Sequence, residues 1–358
     1  MFEFFYNTIC ENEEVVKKLK SLSEKYPEFQ NTAINTARFL VRTKKSALFT
    51  EAVRSTLTYI KTIDQELYDY YPLMIFAAAA DLTAEVHSEM GIPYEITVDT
   101  LRDINVWIGN FYTSNGRYGL SNYVWLAGHF AGNLFKIGRL QYEIMAYPAW
   151  SYVFKNNETG EIITLSPDAD VTASGHITGS SGENDCQFRA VFSNNPDDYT
   201  GNIIDIENGI ILKDRMSLPK KDWKLILKPG DMAVYIHIPQ GEKLEYDKCK
   251  KSMEQAKEFF ARYYPQIEFY ALISSTWLLD PNLVHILPEE SNIIKFMRMF
   301  SKVPVCREIP MIFERVFGFG FEEKDIESAP ENTSLQRSLK RYTLNGGKMY
   351  TTGGYIIW

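Results

Sequence analysis

The chain has 358 residues, 45% of them hydrophobic and 23% charged, enough for a sizeable core and, by length, two domains. Its 38 basic and 46 acidic residues leave a net charge of −8, which argues against a nucleic-acid surface with a basic face. A small phosphate ligand is not excluded, because it responds to a local site and not to net charge.

The N-terminal "MFEFFYNTICENEE" has no basic stretch before its short apolar run, so no signal peptide is expected. In "ENEEVVKKLKSLSEKYP", Val15, Leu19 and Leu22 fall on one face, acidic residues crowd the first turn and Pro27 lies just past the end, which predicts a helix. "SALFTEAVRSTLTYIKTIDQELYDYYP" predicts a second helical stretch running out before Pro72. "PLMIFAAAADLTAEVHSEMG" predicts a third, closed by Gly91. The longest apolar run, "YPLMIFAAAADL", falls short of the roughly 20 residues needed to span a bilayer and reads as a core helix. "TVDTLRDINVWIGNFY" places Thr100 and Asp103 as a capping box.

The Gly/Ser/Asn-rich "TSNGRYGLSNY" marks the expected boundary between a helical domain, residues 1–120, and a mixed α/β domain, residues 121–358. After a helical piece, "VWLAGHFAGNLF", the alternating "FKIGRLQYEIMAYP" is β-like, and "SYVFKNNETGEIITL" is a hairpin. Residues 165–230 are loop-rich, with strands expected at "CQFRAVF" and "WKLIL". "LKPGDMAVYIHIP" is a turn and then a strand apolar enough to be covered on both faces. A helix, the strand "IEFYALISSTWLL", a helix around "SNIIKFMRMF" and strands in "VCREIPMIFERVFG" follow. The tail from about residue 326 reads as a helix, a Gly-Gly stop and a final strand or hairpin whose apolar "YIIW" closes a sheet edge.

Cys10, Cys186, Cys249 and Cys306 lie far apart, and His87 and His285 are isolated, so neither a metal site nor a disulfide scaffold is expected. A reduced, cytoplasmic protein without membrane or nucleic-acid partners fits this composition.

"YIHIPQGEKLEYDKCKKSMEQAKEFF" runs from strand through turn to amphipathic helix. Tyr246, Cys249, Met253, Ala256 and Phe260 form one apolar stripe. The amides from Gln240 to Lys243 precede the positive end of that helix, a suitable place for an anion, although simple connectivity explains the same pattern.

Four segments, "FKIGRLQYE", "LKPGDMAVYIHIPQGEKL", "STWLLDPNL" and "ESNIIKFMRMF", resemble those of the bacterial two-part acyltransferases. These pair an N-terminal helical N-acyltransferase domain with a GNAT-like C-terminal domain. The resemblance covers most of residues 120–310. It implies an α+β fold: an all-α N-terminal domain packed on a GNAT-like acyl-CoA N-acyltransferase domain with a mixed β-sheet. It also implies that "MAVYIHIP", Ile238 included, lines the pantetheine arm of acetyl-CoA or another acyl-CoA. Gln240, Gly241, Glu242 and Lys243 would then hold the pyrophosphate, and "IEFYALISSTWLL" would be the strand that splays away. The departures are a loop with Gly241 as its one glycine, a carboxylate at Glu242, and Glu245 where a Ser or Thr cap is expected.

The implied activity is direct transfer of an acyl group, acetyl in the first instance, to the amine of a small molecule or peptide. The alternative is an inactive module that binds acyl-CoA or a protein partner. A serine hydrolase has no G-x-S-x-G elbow to support it. N-acyl transfer needs a base for the amine, a donor for the thioester oxygen and an acid for the thiolate. His237 is the base candidate, with Tyr235 on its face of the strand. Its alternative is a core histidine bonded across the sheet. Ser274, Ser275 and Thr276 end the neighbouring strand, Ser275 being the catalytic candidate among them. Asp280 reads as a turn or cap, and Asn282 as a cleft residue that binds the cofactor. His129 sits among small residues, and Arg139 and Glu143 share a strand face; packing and a surface ion pair are their alternatives. Trp125, Tyr147, Trp150 and Trp277 are candidates for an acyl pocket or, more simply, for the core.

Overall fold

The computed structural model describes residues 2–318 and 320–358. The chain divides into two compact units: Met1–Glu143 with Ser252–Pro265, and Ile144–Lys251 with Gln266–Trp358.

The first unit is mostly helical. A short π-helix, Phe5–Ile9, precedes α1 (Glu13–Lys25), α2 (Pro27–Thr43), α3 (Ser46–Ile60), α4 (Gln65–Glu89), α5 (Tyr94–Leu101), α6 (Asp103–Asn115) and α7 (Tyr123–Phe130). Asn12 caps α1 by accepting the Val15 N–H at 3.1 Å, and the predicted stripe of Val15, Leu19 and Leu22 is buried. Two of the predicted helix boundaries shift. The break expected at Pro72 lies earlier, between Ile60 and Gln65, where Asp64 caps α4 by accepting the N–H groups of Glu66 and Leu67. Pro72 sits inside α4, where it removes one helical hydrogen bond. The run Leu73–Ala80 is buried on every side, and that burial outweighs the loss. The predicted capping box at Thr100 is absent. Thr100 lies in α5, and its hydroxyl accepts the Lys136 N–H at 2.9 Å.

A hairpin, β1 (Leu134–Ile137) and β2 (Leu140–Ala146), turns at Gly138 with φ +61°. The second half of α8 (Tyr246–Tyr263), from Ser252 on, belongs with this hairpin. Ser252 donates to Ile137 O and accepts the Leu140 N–H, and Phe259, Phe260 and Tyr264 pack around Phe135.

The second unit holds two larger sheets and a small one. β3 (Tyr152–Asn156) and β4 (Ile162–Leu165) form the predicted hairpin, and β5 (Ala169–Val171) pairs with β6 (Phe188–Ala190). With β7 (Ser193–Asn194), β8 (Asp198–Asp205), β9 (Ile210–Pro219) and β10 (Trp223–Leu227), one sheet runs β10-β3-β4-β8-β7, and β9 pairs with β8. The other contains β11 (Met232–His237), β12 (Ala271–Thr276), β13 (Ser301–Pro304) and β14 (Thr352–Ile357), in the order β11-β12-β14-β13. β11 and β12 are parallel, while β14 is antiparallel to both β12 and β13, so the sheet is mixed as expected.

The tail is a strand but not an edge: β14 lies between β12 and β13. Gly353 and Gly354 permit this, since a Cβ would lie 2.7 Å from Val305 Cγ1 at the first and 2.9 Å from Leu279 Cδ1 at the second. Three helices complete the unit: α9 (Asn292–Met297), α10 (Met311–Phe317) and α11 (Ser334–Leu344). α10 replaces the strand expected in "MIFERVF". Ile312 and Phe313 are both buried there, adjacent on a helix where a strand would alternate them.

Candidate functional site

The parallel pair β11 and β12 is in register at Ala233↔Ala271, Val234↔Leu272 and Tyr235↔Ile273, and then the ladder ends. Both strands continue, to His237 and to Thr276. Side chains take over where the backbone bonds stop. The Ser275 N–H donates to Tyr235 Oη at 2.8 Å, and the Tyr235 hydroxyl donates to Ser275 O at 3.0 Å. Ser274 Oγ donates to Ile236 O at 3.0 Å. Buried backbone groups need partners, so these hydroxyls let two parallel strands part without orphaning them. His237 lies beside Tyr235, ring centroids 4.6 Å apart, and Trp150 meets Tyr235 edge-on at 6.4 Å. Tyr147 stands behind Trp150 and bonds Ser151 Oγ at 2.7 Å. The structure thus gathers Tyr235, His237, Ser274, Ser275 and Trp150 where the β11–β12 ladder ends.

The loop leaves β11 through half-buried Ile238, while Gln240, Gly241, Glu242 and Lys243 are exposed. Gly241 has φ +107°, a conformation other residues rarely adopt. α8 begins at Tyr246, whose N–H donates to Asn292 Oδ1 at 3.3 Å. Glu245 pairs with Lys248 at 2.9 Å, and Asp247 lies in the first turn, so carboxylates share the positive end of the helix.

Asn282 stands apart from the residues at the ladder's end in its bonding. Its N–H donates to Asp280 Oδ1 at 2.9 Å and its side-chain amide donates to Lys348 O at 3.1 Å. Asp280 is wholly buried and also accepts the Tyr350 N–H at 2.6 Å. Burial pushes its carboxyl up to about 7, while the two N–H bonds pull the other way. Thr276 caps the following turn by accepting the Leu278 N–H, and Trp277 packs against a separate apolar cluster that includes Leu283 and Ile294.

In the first unit, His129 is wholly buried, with Nε2 3.4 Å from Asp103 Oδ2. Asp103 accepts the indole N–H groups of Trp107 and Trp125 at 2.9 and 3.0 Å and the Gln141 amide at 2.8 Å. This polar network ties α6, α7 and β2 together. Arg139 does not share a strand face with Glu143; it is buried in the β1–β2 turn that Gly138 permits. His87 is buried, with Nδ1 3.0 Å from Thr97 Oγ1, and His285 stacks on Tyr342. The loop between β5 and β6, which carries no sequence motif, holds His176 with its ring stacked on Tyr350. Among the described residues no group of His, Cys, Asp and Glu is placed to hold a metal, and no helix is long and apolar enough to cross a membrane.

Residues 11–132 match the model of an N-acyltransferase N-terminal domain, and residues 134–356 match that of a GNAT-like C-terminal domain. No curated protein matches the chain. Among solved structures, an acyltransferase mutant in complex with octanoyl-CoA aligns with TM-score 0.53 at 18% identity, over 82% of this chain and 67% of that one. An acyltransferase in complex with decanoyl-CoA and teicoplanin aligns with TM-score 0.52 at 19% identity over the same shares. Likeness at this identity speaks for the fold, and the two matched models together span nearly all of the sequence. The chain belongs to the acyltransferase family that joins an N-acyltransferase N-terminal domain to a GNAT-like C-terminal domain.

Proposed function

We propose that the chain transfers an acyl group from an acyl-CoA to an amine by direct attack. The amine nitrogen bonds to the thioester carbon, the C–S bond breaks, CoA leaves as the thiolate and the amine proton passes to a base. The observation that carries this reading is the parting of β11 from β12 after Tyr235 and Ile273, followed by a turn and α8. In an open α/β sheet, ligands lie beyond the carboxyl ends of parallel strands, and this is such an end. His237 is the base in this reading. Tyr235 and Ser275 supply the hydroxyl donors in this reading, for the thioester oxygen and the leaving thiolate. Ile238, just past β11, lies along the pantetheine arm, and the backbone at Gln240, Gly241, Glu242 and Lys243, with Lys243's ammonium, receives the pyrophosphate. Asn282 is the further cofactor-binding residue in this reading, and its side-chain amide is bonded to Lys348 O.

For the donor, a medium-chain acyl-CoA suits this chain better than acetyl-CoA. Trp150 meets Tyr235 edge-on, backed by buried Tyr147. Octanoyl-CoA and decanoyl-CoA are the ligands of the solved acyltransferases with this fold. The acceptor is the amine of a small molecule or peptide, in keeping with the teicoplanin held by one of them.

A specific observation favours a second reading, an inactive acyl-CoA-binding module: Tyr235's hydroxyl is already bonded to both backbone groups of Ser275. Melting and thiol-release measurements with acetyl-, octanoyl- and decanoyl-CoA and a panel of primary amines separate the two. Transfer predicts stabilisation by an acyl-CoA, about 2.7 kcal/mol at a hundredfold excess over Kd, and free thiol that appears only with an amine. Stabilisation without thiol for any amine supports the module. No stabilisation by any acyl-CoA at millimolar concentration defeats both.

A further inference from the structure

The loop between β5 and β6 builds a hydrogen-bonded chain that ends at a ring nitrogen of His176. Ser174 Oγ donates to Glu183 Oε2 at 2.6 Å, because a carboxylate can only accept. Ser174 has one proton to give, so towards His176 Nδ1, 3.1 Å away, its oxygen accepts. His176 therefore carries its proton on Nδ1 and a lone pair on Nε2. Among the described residues Nε2 has no partner, and the residue keeps 9% of its exposure. Glu183's other oxygen accepts the Tyr350 hydroxyl at 2.8 Å, and the Tyr350 ring lies flat on the imidazole, 3.5 Å between centroids at 5°. Burial holds His176 down to about 4, so the ring is neutral at pH 7 and its lone pair is available.

Two connections bring this cluster to the carboxyl end of β12, the strand that parts from β11. Tyr350 precedes Thr352, which pairs with Thr276, the last residue of β12. The Tyr350 N–H is held by Asp280, just beyond that same strand. The loop is also firmly seated: Gly175 O accepts the Ile211 N–H at 2.8 Å, and a Cβ on Gly175 would lie 2.9 Å from Ile210 Cβ. Within it, Ser181 adopts φ +50°, and its hydroxyl is buried without a partner among the described residues, as is that of Thr178. Lys348 Nζ lies 3.5 Å from Ser181 O.

Given the transferase reading, on which this rests, we infer that His176 Nε2 is an acceptor-substrate subsite: it takes a hydrogen bond from the primary amine, or its ammonium form, and Ser174 and Glu183 orient it. An unprotonated nitrogen backed by a carboxylate favours a donor with positive charge over a neutral hydroxyl. His176 is here a positioning residue for the amine, and proton removal stays with His237.

The test uses the full chain with octanoyl-CoA and the amines glucosamine, cadaverine and lysine methyl ester. His176→Leu should raise KM for the amine roughly tenfold to a hundredfold, the range for a lost bond to a charged group, and leave KM for octanoyl-CoA unchanged. His176→Gln, which keeps an acceptor oxygen, should recover most of that loss at the same melting temperature. Nitrogen NMR of the histidine rings should show the Nδ1–H form for the signal missing in His176→Leu. An unchanged amine KM in His176→Leu, or an Nε2–H form in the parent, overturns the subsite and leaves the transferase reading intact. A parent that binds octanoyl-CoA and releases thiol with none of the amines overturns the transferase reading and the subsite with it.

Discussion

At the scale of single residues, titratable groups work in opposite directions on stability. His87 and His176 are both held down to about 4 by burial, so the folded chain binds fewer protons than the unfolded chain between pH 4 and 6.5. Their contribution is intact above the ordinary histidine value and is lost as pH falls through that window, by at most about 3 kcal/mol each. Asp280 acts in the other direction. Its raised value means that it favours the fold at low pH and costs stability as pH rises from 3.8 to about 7. Replacing His87 by Leu should therefore flatten the fall in urea midpoint between pH 6.5 and 4. An equally steep fall in the variant shows that His87 carries none of it. Tyr235→Phe tests a different residue-scale cost. It deprives the Ser275 N–H and C=O of their shared partner, so it should destabilise by about 1–3 kcal/mol. A melting temperature equal to the parent's means that water serves the gap as well as the hydroxyl does.

At the scale of elements, what is legible in the sequence is what has a local period. Four of the five residues of the apolar stripe of α8, Cys249, Met253, Ala256 and Phe260, are buried, and Tyr246 at its start is half-buried. The strand at β11 lies where its continuous apolar run puts it, and the β3–β4 hairpin where its β-rich arms and turn residues do. α10 is misread because a short helix rich in Ile, Phe and Val carries the composition of a strand. The helix break at Pro72 is misread because proline is a local signal, whereas the burial of Leu73–Ala80 that overrides it is tertiary. The turn after His237 is legible as a turn, but what fills the parting of the strands, Tyr235 Oη on Ser275, has no sequence signature. At that turn, no atom among the described residues lies within 4 Å of where a Gly241 Cβ would be, so Gly241→Val acts through its φ of +107° and not through crowding. It should weaken octanoyl-CoA binding tenfold or more at nearly unchanged melting temperature. Lys243→Ala should weaken it tenfold or less, and His237→Ala should leave it intact while slowing transfer about 10²-fold. Calorimetry and thiol release read all three. Parent-like affinity in Gly241→Val makes the turn a mere connection.

At the scale of the whole molecule, the least legible features are those that join distant stretches of chain. His176 meets Tyr350, and β12 meets β14, through contacts that no window of neighbouring residues encodes. The C-terminal strand carries much of this long-range order. β14 makes ladders to β12 over Ala271↔Ile357 to Thr276↔Thr352 and to β13 over Ser301↔Tyr355 to Pro304↔Thr352. Tyr355, 1% exposed, also bonds Thr164 in the neighbouring sheet through its hydroxyl at 2.6 Å. Removing residues 349–358 would strip both ladders of their shared strand, free the edge of β12 for pairing with other chains and release Asp280 and His176 from Tyr350. An edge strand could be lost with local fraying; an interior one cannot, because both neighbours lose their backbone partners at once. The truncated chain should be insoluble or lack a cooperative melt, while Trp358→Ala, at the strand's end, should melt within a few degrees of the parent. A soluble truncation with the parent's melting temperature would show that β12 and β13 hold their places without the strand between them.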